Sequence, residues 1–228
     1  MFVEKWMTPN PVTLAPNTTI SAAALEMSRR KFRHLLVAEA STTGKKLLGL
    51  LSKYDIARAF PGNFNPFSLE VTAGTIPNPV STIMVRNVIT VELYCAIEEA
   101  ARIMLTRRIN ALPVVRSGNL VGIITESDIF GALLGITGAN ARGIKMIVES
   151  SDVKTALTSV AQLSEQHHLQ IQSAVSFHDP QVAKQSRLSF PFFRPTERPI
   201  CATADYIGFS YPARQQFVAI CSRARDCA

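Results

Sequence analysis

The sequence predicts an α/β (α+β) protein in which two β-α-β-β-α repeats form a pseudo-two-fold pair, followed by a partial strand–helix–strand unit. Three observations lead to this prediction. The first 137 residues contain an internal repeat, each copy combines helical and strand periodicity, and a strand–helix–strand pattern begins near residue 143. The chain has 228 residues, 47% of them hydrophobic, so it can bury a core and is unlike a disordered chain.

The repeat is visible in residues matched at a nearly constant spacing. The spacing is 77 residues over most of the unit and 73 after a deletion of four residues. The matched pairs include Met7 with Met84, Thr13 with Thr90, Ile20 with Ile97, Met27 with Met104, Gly49 with Gly122 and Asp55 with Asp128. Chance similarity would not keep register over a whole unit with one gap, so we infer a duplication.

Each copy predicts the same elements in the same order. In the first, a short strand at Thr13 precedes a helix whose apolar stripe runs from Ile20 to Met27, capped within residues 17–19. Strands at 35–38 and 47–52 then flank a polar turn, and a helix covers 55–60. The second copy predicts a strand at Thr90, a helix from Ile97, strands at 112–115 and 120–125, and a helix at 128–134. The domains are thus 1–61 and 80–138, joined by a Pro- and Gly-containing linker, 62–79.

One motif recurs where the last strand of each repeat meets its helix. It reads Gly-φ-φ-[Ser/Thr]-x-x-Asp, with φ apolar, at 49–55 and at 122–128. One interpretation is a capping box, in which the hydroxyl caps the helix and the acid reaches back to the strand. The other is a nucleoside phosphate site. A helix N-terminus attracts phosphate, a carboxylate can accept hydrogen bonds from two ribose hydroxyls, and the glycine would leave room for a base.

With these motifs, residues 1–138 resemble a tandem pair of cystathionine-β-synthase-type (CBS) domains, the regulatory unit called a Bateman module. The resemblance implies two clefts that bind AMP, ADP, ATP or S-adenosylmethionine. By motif, Asp55 and Asp128 would hold ribose, and Ser52 and Thr125 phosphate. The base would contact backbone around Val12, Thr13, Leu35, Leu36, Ile89, Thr90, Ala111, Leu112 and Pro113.

The two clefts are expected to differ in charge. We call the cleft of Ser52 and Asp55 the first cleft and that of Thr125 and Asp128 the second. Lys53 follows Ser52, whereas Glu126 follows Thr125, and Arg33 and His34 are expected to add positive potential at the first motif as phosphate-binding residues. The sequence therefore predicts that the first cleft accepts more phosphate charge.

The C-terminal third predicts a different unit. Residues 143–149 alternate like a strand, Val153 to Ser164 follow helical spacing after Ser151 or Asp152, and 169–177 alternate again. A strand–helix–strand run after a CBS pair resembles half of an ACT domain, a βαββαβ module, and the combination is similar to the acetoin utilisation protein B family. The ACT-like half domain is assigned to 139–179. Prolines at 191, 195, 199 and 212 interrupt residues 180–228, which we interpret as an anomalous tail, poorly folded on its own.

No catalytic set is found in the sequence. Walker A, G-x-S-x-G and H-E-x-x-H motifs are absent, and His167-His168 lacks partners at metal-ligand spacing, so neither an enzyme nor a metal or cofactor is predicted. Without an export signal or membrane-spanning run, we expect a cytoplasmic protein with free thiols at its four cysteines.

Three function classes remain open. The favoured one is a non-catalytic regulatory sensor of adenine nucleotides that acts through a homodimer or an unknown regulated protein. The second is a structural dimerisation module with empty clefts. The third is a nucleic-acid binder, suggested by a net charge of +7, but this charge is spread along a chain with only 7% aromatic residues.

Overall fold

The structure, a computed structural model, describes residues 1–60, 65–67, 77–138, 144–150, 152–178, 186–193 and 216–221. Two compact units divide the chain, Met1–Phe130 and Gly131–Ala228. The predicted fold class is confirmed, since the first unit contains two β-α-β-β-α repeats. Most of the predicted linker, namely 62–64 and 68–76, lies outside the described residues, as does residue 61.

The first repeat builds a three-stranded sheet with two helices. Strand β2 is parallel to β3, as a crossover through a helix requires, and β3 forms an antiparallel hairpin with β4. The elements are β2 (Thr13–Leu14), α1 (Ile20–Arg30), β3 (His34–Ser41), β4 (Gly44–Ser52) and α2 (Lys53–Ala59).

The second repeat follows the same pattern. Strand β5 is parallel to β6, and β6 is antiparallel to β7. The elements are β5 (Val91–Glu92), α3 (Ile97–Arg107), β6 (Ala111–Arg116), β7 (Asn119–Thr125) and α4 (Glu126–Ile136). The strand predicted at Thr90 begins one residue later, because Val91 is the residue buried in the core while Thr90 is exposed.

Helix α1 shows how the sequence sets these elements. Its predicted stripe is buried, Ile20 and Met27 included, and the Thr19 hydroxyl accepts a hydrogen bond from the Ala22 N–H at 3.2 Å. The helix ends at Lys31, whose backbone is left-handed with φ of 57°. Helix α3 ends in the same way at Arg108, with φ of 54°.

Each repeat sends its first residues onto the other repeat. We call residues 1–10 the first arm and residues 77–86 the second arm. In the first arm, β1 (Thr8–Pro9) pairs with β7, so that Thr8 lies opposite Ile123. In the second arm, the equivalent Val85 forms an antiparallel bridge with Leu50 on β4.

The arms also enter the cores. Val3 of the first arm and Val80 of the second are both 0% exposed. Val80 and Met84 pack among the buried residues of the first repeat, including Ile20 and Ile56. The core of the first repeat is therefore completed by residues that belong to the second repeat in sequence.

The second unit contains an antiparallel sheet with the strand order β10-β11-β8-β12, and β9 pairs with β11. The predicted strand at 169–177 is divided into β9 and β10. The elements are β8 (Ile144–Ser150), α5 (Val153–Gln166), β9 (Gln170–Ile171), β10 (Val175–His178), β11 (Ser186–Phe193) and β12 (Gln216–Cys221).

Strand β11 lies inside the segment interpreted as a poorly folded tail. Its residues Leu188, Phe190 and Phe192 are buried against Val148 and Val160. The interpretation is therefore wrong for residues 186–193. The rest of 180–228, apart from the backbone of β12, lies outside the described residues.

Candidate functional site

The hydroxyl–acid pair of each repeat forms a helix cap. Asp55 Oδ2 accepts hydrogen bonds from the Ser52 N–H at 2.8 Å and from the Ser52 hydroxyl at 2.6 Å, while the Asp55 N–H donates to Ser52 Oγ at 3.2 Å. Asp128 Oδ2 likewise accepts from the N–H and the hydroxyl of Thr125, both at 2.7 Å. The capping box is thus complete in the first repeat, and in the second repeat the acid accepts the same two hydrogen bonds.

The cap occupies only one oxygen of each carboxylate. Both hydrogen bonds to Asp55 and both to Asp128 end on Oδ2, and within the described part of the chain neither Oδ1 has a hydrogen bond. Both aspartates are partly exposed. The cap therefore fixes each carboxylate and leaves Oδ1, a strong acceptor, for a ligand. The capping and ligand interpretations are compatible.

The second cleft opens into a cavity of about 190 Å³ whose walls come from both repeats. Strand β7 and helix α4 contribute the hydroxyl–acid pair and Ile123, and the first repeat contributes the opposite wall. The lining residues are Thr8, Pro11, Val12, Lys31, Phe32, Arg33, His34, Leu36, Ile123, Thr125 and Asp128.

The arms bring these two walls together. Because β1 of the first arm pairs with β7, the chain passes directly from Thr8 into Val12 beside the end of β7. The hydrogen bond from the Asn10 N–H to the Val121 carbonyl, 3.0 Å, continues this contact. The residues that line this one cavity thus come from two sequence repeats.

The side chain of Arg33 reaches the second motif. Its Nη2 donates to Ser127 Oγ at 2.9 Å, although its carbonyl accepts from the Lys53 N–H at 3.0 Å beside the first motif. The structure therefore places the Arg33 side chain at the second motif, and its role as a phosphate contact stays a prediction.

His34 lines the same second cavity, and the pKa of its imidazole is also affected by Asp55 of the first motif. Burial lowers the pKa of its imidazole below the ordinary value of 6.5, and the Arg33 charge lowers this pKa further, while Asp55 and Glu126 act in the opposite direction. The imidazole is therefore predominantly neutral at pH 7.

A cavity of about 270 Å³ adjoins Asp55 along α2, and the described residues that line it are Asp55, Arg58, Ala59 and Ile83, without Ser52. The Lys53 ammonium lies 5.0 Å from the centroid of the Phe67 ring, a cation–π arrangement. That Lys53 binds phosphate stays a prediction, as do the phosphate roles of Ser52 and Thr125.

The predicted base contacts divide into cleft and core residues. Val12 and Leu36 line the second cavity. Leu35 and Leu112 are 1% and 0% exposed, so their side chains are core residues and only their backbone remains for a base. Thr13, Ile89, Thr90, Ala111 and Pro113 are not among the lining residues of either cavity, and their contacts stay predictions.

The motif glycines, Gly49 and Gly122, allow the arms to approach the strands closely. A Cβ at Gly49 would lie 2.6 Å from Met84 Sδ and 2.9 Å from the Val85 carbonyl oxygen, and one at Gly122 would lie 2.3 Å from Met7 Sδ. The expectation that these glycines make room for a base is therefore replaced by a close approach of the arm.

Several cavity residues were missed in the sequence. Thr8 and Pro11 belong to the repeated segment at residues 7–13, which marked the duplication but suggested no role. Lys31 and Phe32 lie between the end of α1 and the start of β3. The repeat signal could have found the first pair, had the exchange of arms been foreseen.

Comparison with known proteins agrees with this architecture. The fold is a tandem repeat, and the CBS domain family model matches residues 3–62 and 80–135, which are its two copies. The chain belongs to the CBS domain family, whose modules are regulatory and non-catalytic.

Individual relatives match between one half and two thirds of the chain. The chain is 35% identical over 130 residues to an uncharacterized protein of Methanocaldococcus jannaschii, a match covering 54% of this chain and 45% of that protein, so it spans less than half of that relative. It is 30% identical over 129 residues to the CBS domain-containing protein YhcV of Bacillus subtilis, covering 56% of this chain and 81% of that one. A solved structure described as an acetoin utilization protein (AcuB) from Vibrio cholerae is 29% identical with a TM-score of 0.51, covering 61% of this chain and 95% of that chain.

Within the described residues, no helix is long and apolar enough to span a membrane.

Proposed function

We propose that this chain is a non-catalytic regulatory protein that senses adenine nucleotides or S-adenosylmethionine in its CBS clefts. The observation that carries the proposal is the second cavity, in which the Thr125–Asp128 pair faces Val12 and Leu36 of the other repeat. An apolar wall opposite a fixed carboxylate suits a ligand with a flat base at one end and vicinal hydroxyls at its centre.

The chemistry of the cavity supplies each part of such a ligand. The half-buried Val12 and Ile123 offer apolar surface for the base, while Leu36 on the same wall is only 1% exposed. The Oδ1 atom of Asp128 can accept from the ribose hydroxyls. Lys31 and Arg33 lie on the same wall and offer cationic donors for phosphate. The cavity thus combines the three recognition chemistries of a nucleoside phosphate.

The position of the cavity between the repeats supports a sensor. A ligand that touches both β7 and β3 binds best to one arrangement of the two repeats, and it therefore shifts the population toward that arrangement. We propose that a homodimer partner or a separate regulated protein reads this shift.

The test is binding and thermal stability of the full chain with AMP, ADP, ATP and S-adenosylmethionine. At least one should raise Tm, because a ligand that binds only the folded state stabilises it. Asp128→Ala should weaken binding at the second cleft about tenfold or more, since it removes charge-assisted hydrogen bonds. Asp152→Ala is the matched control, because Asp152 also caps a helix, α5, but does not line either cavity.

The alternatives have their own signatures. No Tm shift with any of the four compounds would favour a structural dimerisation module with empty clefts. Oligonucleotide binding with a steep dependence on salt would favour a nucleic-acid binder.

For the second unit we propose an ACT-like fold within a protein related to the acetoin utilisation group. The support is the strand order, in which β11 inserts next to β8 and β12 lies on the other side of β8, all antiparallel, as in a split β-α-β arrangement. The similarity to the Vibrio cholerae structure supports the group assignment over 61% of this chain.

A further inference from the structure

We propose that the second repeat binds a partner protein through an exposed apolar surface on α3 and α4, and that the partner supplies a short turn with a proline and an aromatic side chain. We call this surface the α3–α4 surface and define it by Leu105 on α3 and Phe130 on α4, which are 81% and 63% exposed. The first repeat already makes the equivalent interaction with a segment of its own chain. The proposal concerns neither cleft and therefore goes beyond the proposed function.

In the first repeat, residues 65–67 pack onto the helices, and we call them the strap. The Ser28 hydroxyl near the end of α1 donates to the Phe67 carbonyl at 2.7 Å. The Lys53 ammonium at the start of α2 lies 5.0 Å from the centroid of the Phe67 ring. Pro66 is buried, and Phe67 packs against the core of the repeat. The strap thus joins the end of α1 to the start of α2.

The internal repeat identifies the matching surface in the second half. At the spacing of 77 residues Ser28 corresponds to Leu105, and at the spacing of 73 Ala57, one turn after Lys53, corresponds to Phe130. The residues that match the strap, 138–140, read Gly-Ala-Asn and contain neither a proline nor an aromatic side chain. The chain therefore repeats the helices but not the strap sequence.

The exchange of residues between the repeats makes the second surface more apolar. Leu105 replaces the serine that holds the strap carbonyl, and Phe130 replaces an alanine. Glu126 replaces Lys53, and its carboxylate accepts a hydrogen bond from the Asn110 side chain at 3.1 Å. Both polar anchors of the strap are thus replaced, and an occupant of the α3–α4 surface is held mainly by the burial of apolar area.

Helix α4 has an apolar face that calls for a cover. Leu133 and Leu134 follow Phe130 at three and four residues and therefore lie on the same side of the helix, where they are 52% and 42% exposed. The buried residue of α4, Ala132, lies on the other side. A helix with apolar residues all round is normally enclosed by protein, and a contiguous exposed apolar surface marks an interaction site.

The strap supplies the chemistry of the occupant. Its turn is closed by a hydrogen bond from the Phe67 N–H to Asn65 Oδ1 at 3.1 Å, and Pro66 restricts the same turn. A segment of this kind is largely ordered before it binds, so it loses little conformational entropy on docking, and its aromatic ring supplies most of the apolar area. A partner segment of the same type therefore suits the surface that the second repeat leaves exposed.

The test uses a fluorescent peptide with the sequence of residues 63–69, Asn-Phe-Asn-Pro-Phe-Ser-Leu, and measures its binding to the full chain by fluorescence anisotropy. The peptide should bind, and Leu105→Ser and Phe130→Ser should each weaken its affinity about tenfold. Leu157→Ser, the matched control at a residue 41% exposed on α5, should leave the affinity unchanged. A peptide carrying Phe67→Ala should bind about tenfold more weakly.

Two further measurements exclude other occupants. Ser28→Ala removes an anchor of the strap, and a loss of peptide affinity equal to that in Phe130→Ser would place the peptide on the first repeat and overturn the inference. Sedimentation velocity tests a second copy of the chain as the occupant, and a dimer that Phe130→Ser converts to a monomer would overturn the inference as well. So would failure of the peptide to bind the full chain. Leu105 and Phe130 lie on different helices, so a folding defect in one variant leaves the other to decide.

Discussion

At Gly49 and Gly122, a strand and an arm approach so closely that no side chain fits between them. The two sites are not equally tight. The neighbour of Gly122 is the flexible end of Met7, whereas Gly49 also meets the backbone carbonyl of Val85. This carbonyl accepts a hydrogen bond from the Leu50 N–H at 3.0 Å, and the Val85 N–H donates to the Leu50 carbonyl at 2.9 Å. A methyl group can displace a methionine more easily than a paired backbone.

We expect Gly49→Ala to lower the free energy of unfolding by about 1–3 kcal/mol, and Gly122→Ala by less. Gly131→Ala is the matched control, because a Cβ at this position in α4 meets nothing within 4 Å and alanine favours a helix by about 0.5–1 kcal/mol. Urea denaturation measures all three. Equal effects at Gly49 and Gly131 would contradict a close approach of the second arm.

At the scale of elements, β11 shows how a proline can lie within a sheet. Pro191 pairs with Lys145 on β8, and its carbonyl accepts from the Gln172 N–H at 3.0 Å on the opposite edge. A residue's N–H and C=O point to the same strand edge, so the missing N–H of Pro191 faces the place where pairing passes from β10 to β9. The ladder loses little there, which is why the proline did not prevent a strand.

If β11 is a core strand, removing its central side chain destabilises the whole second unit. Phe190→Ala should cost about 3–5 kcal/mol and increase hydrogen exchange of the β8 amides, because Phe190 is 1% exposed and packs in the core. Leu157→Ala, at a residue 41% exposed on α5, should leave this exchange nearly unchanged. Unaltered β8 protection in Phe190→Ala would contradict both the core position of β11 and the proposed ACT-like fold.

The elements of the repeats were predictable because their periodicity is local. The stripe of α1 and the motif at Ser52 and Asp55 lie within single elements, and the structure confirms both as a buried face and a cap. The partner of Arg33 was not predictable, because it depends on which repeat the side chain enters. Strand β11 was not predicted because Pro191 was given more weight than the alternation of Leu188, Phe190 and Phe192. The sheet tolerates this proline because it lies where the pairing passes from β10 to β9, and that position is known only from the strand order.

At the scale of the molecule, the first unit is an exchange of arms between two similar halves. Val80 and Met84 fill the core of the first repeat, and the first arm pairs with β7 of the second. The domain boundaries at 61 and 80 were taken from the sequence repeat, and they stay a prediction. The units that fold are different, because the first half without the second arm lacks part of its own core.

We therefore expect residues 1–76 alone to lack cooperative folding, since they leave the site of Val80 and Met84 unfilled. Mixing them with a separate chain of residues 77–138 should restore helical circular dichroism and a cooperative thermal transition. The joined chain of residues 1–138 is the control. A cooperative transition in residues 1–76 alone would show that the arm is dispensable for the first core.

Because the two halves exchange arms, the linker at 62–79 covalently joins two parts that would otherwise have to associate. Two separate halves with exchanged arms would form a dimer that depends on protein concentration, and the linker replaces that concentration by a fixed effective one. The ligand that we propose for the second cleft would contact both halves, through β7 and β3, and would therefore stabilise their association. If the chain is cut at the linker, a ligand that binds the second cleft should lower the protein concentration at which the two halves associate. The association of the cut halves could therefore be used to identify that ligand.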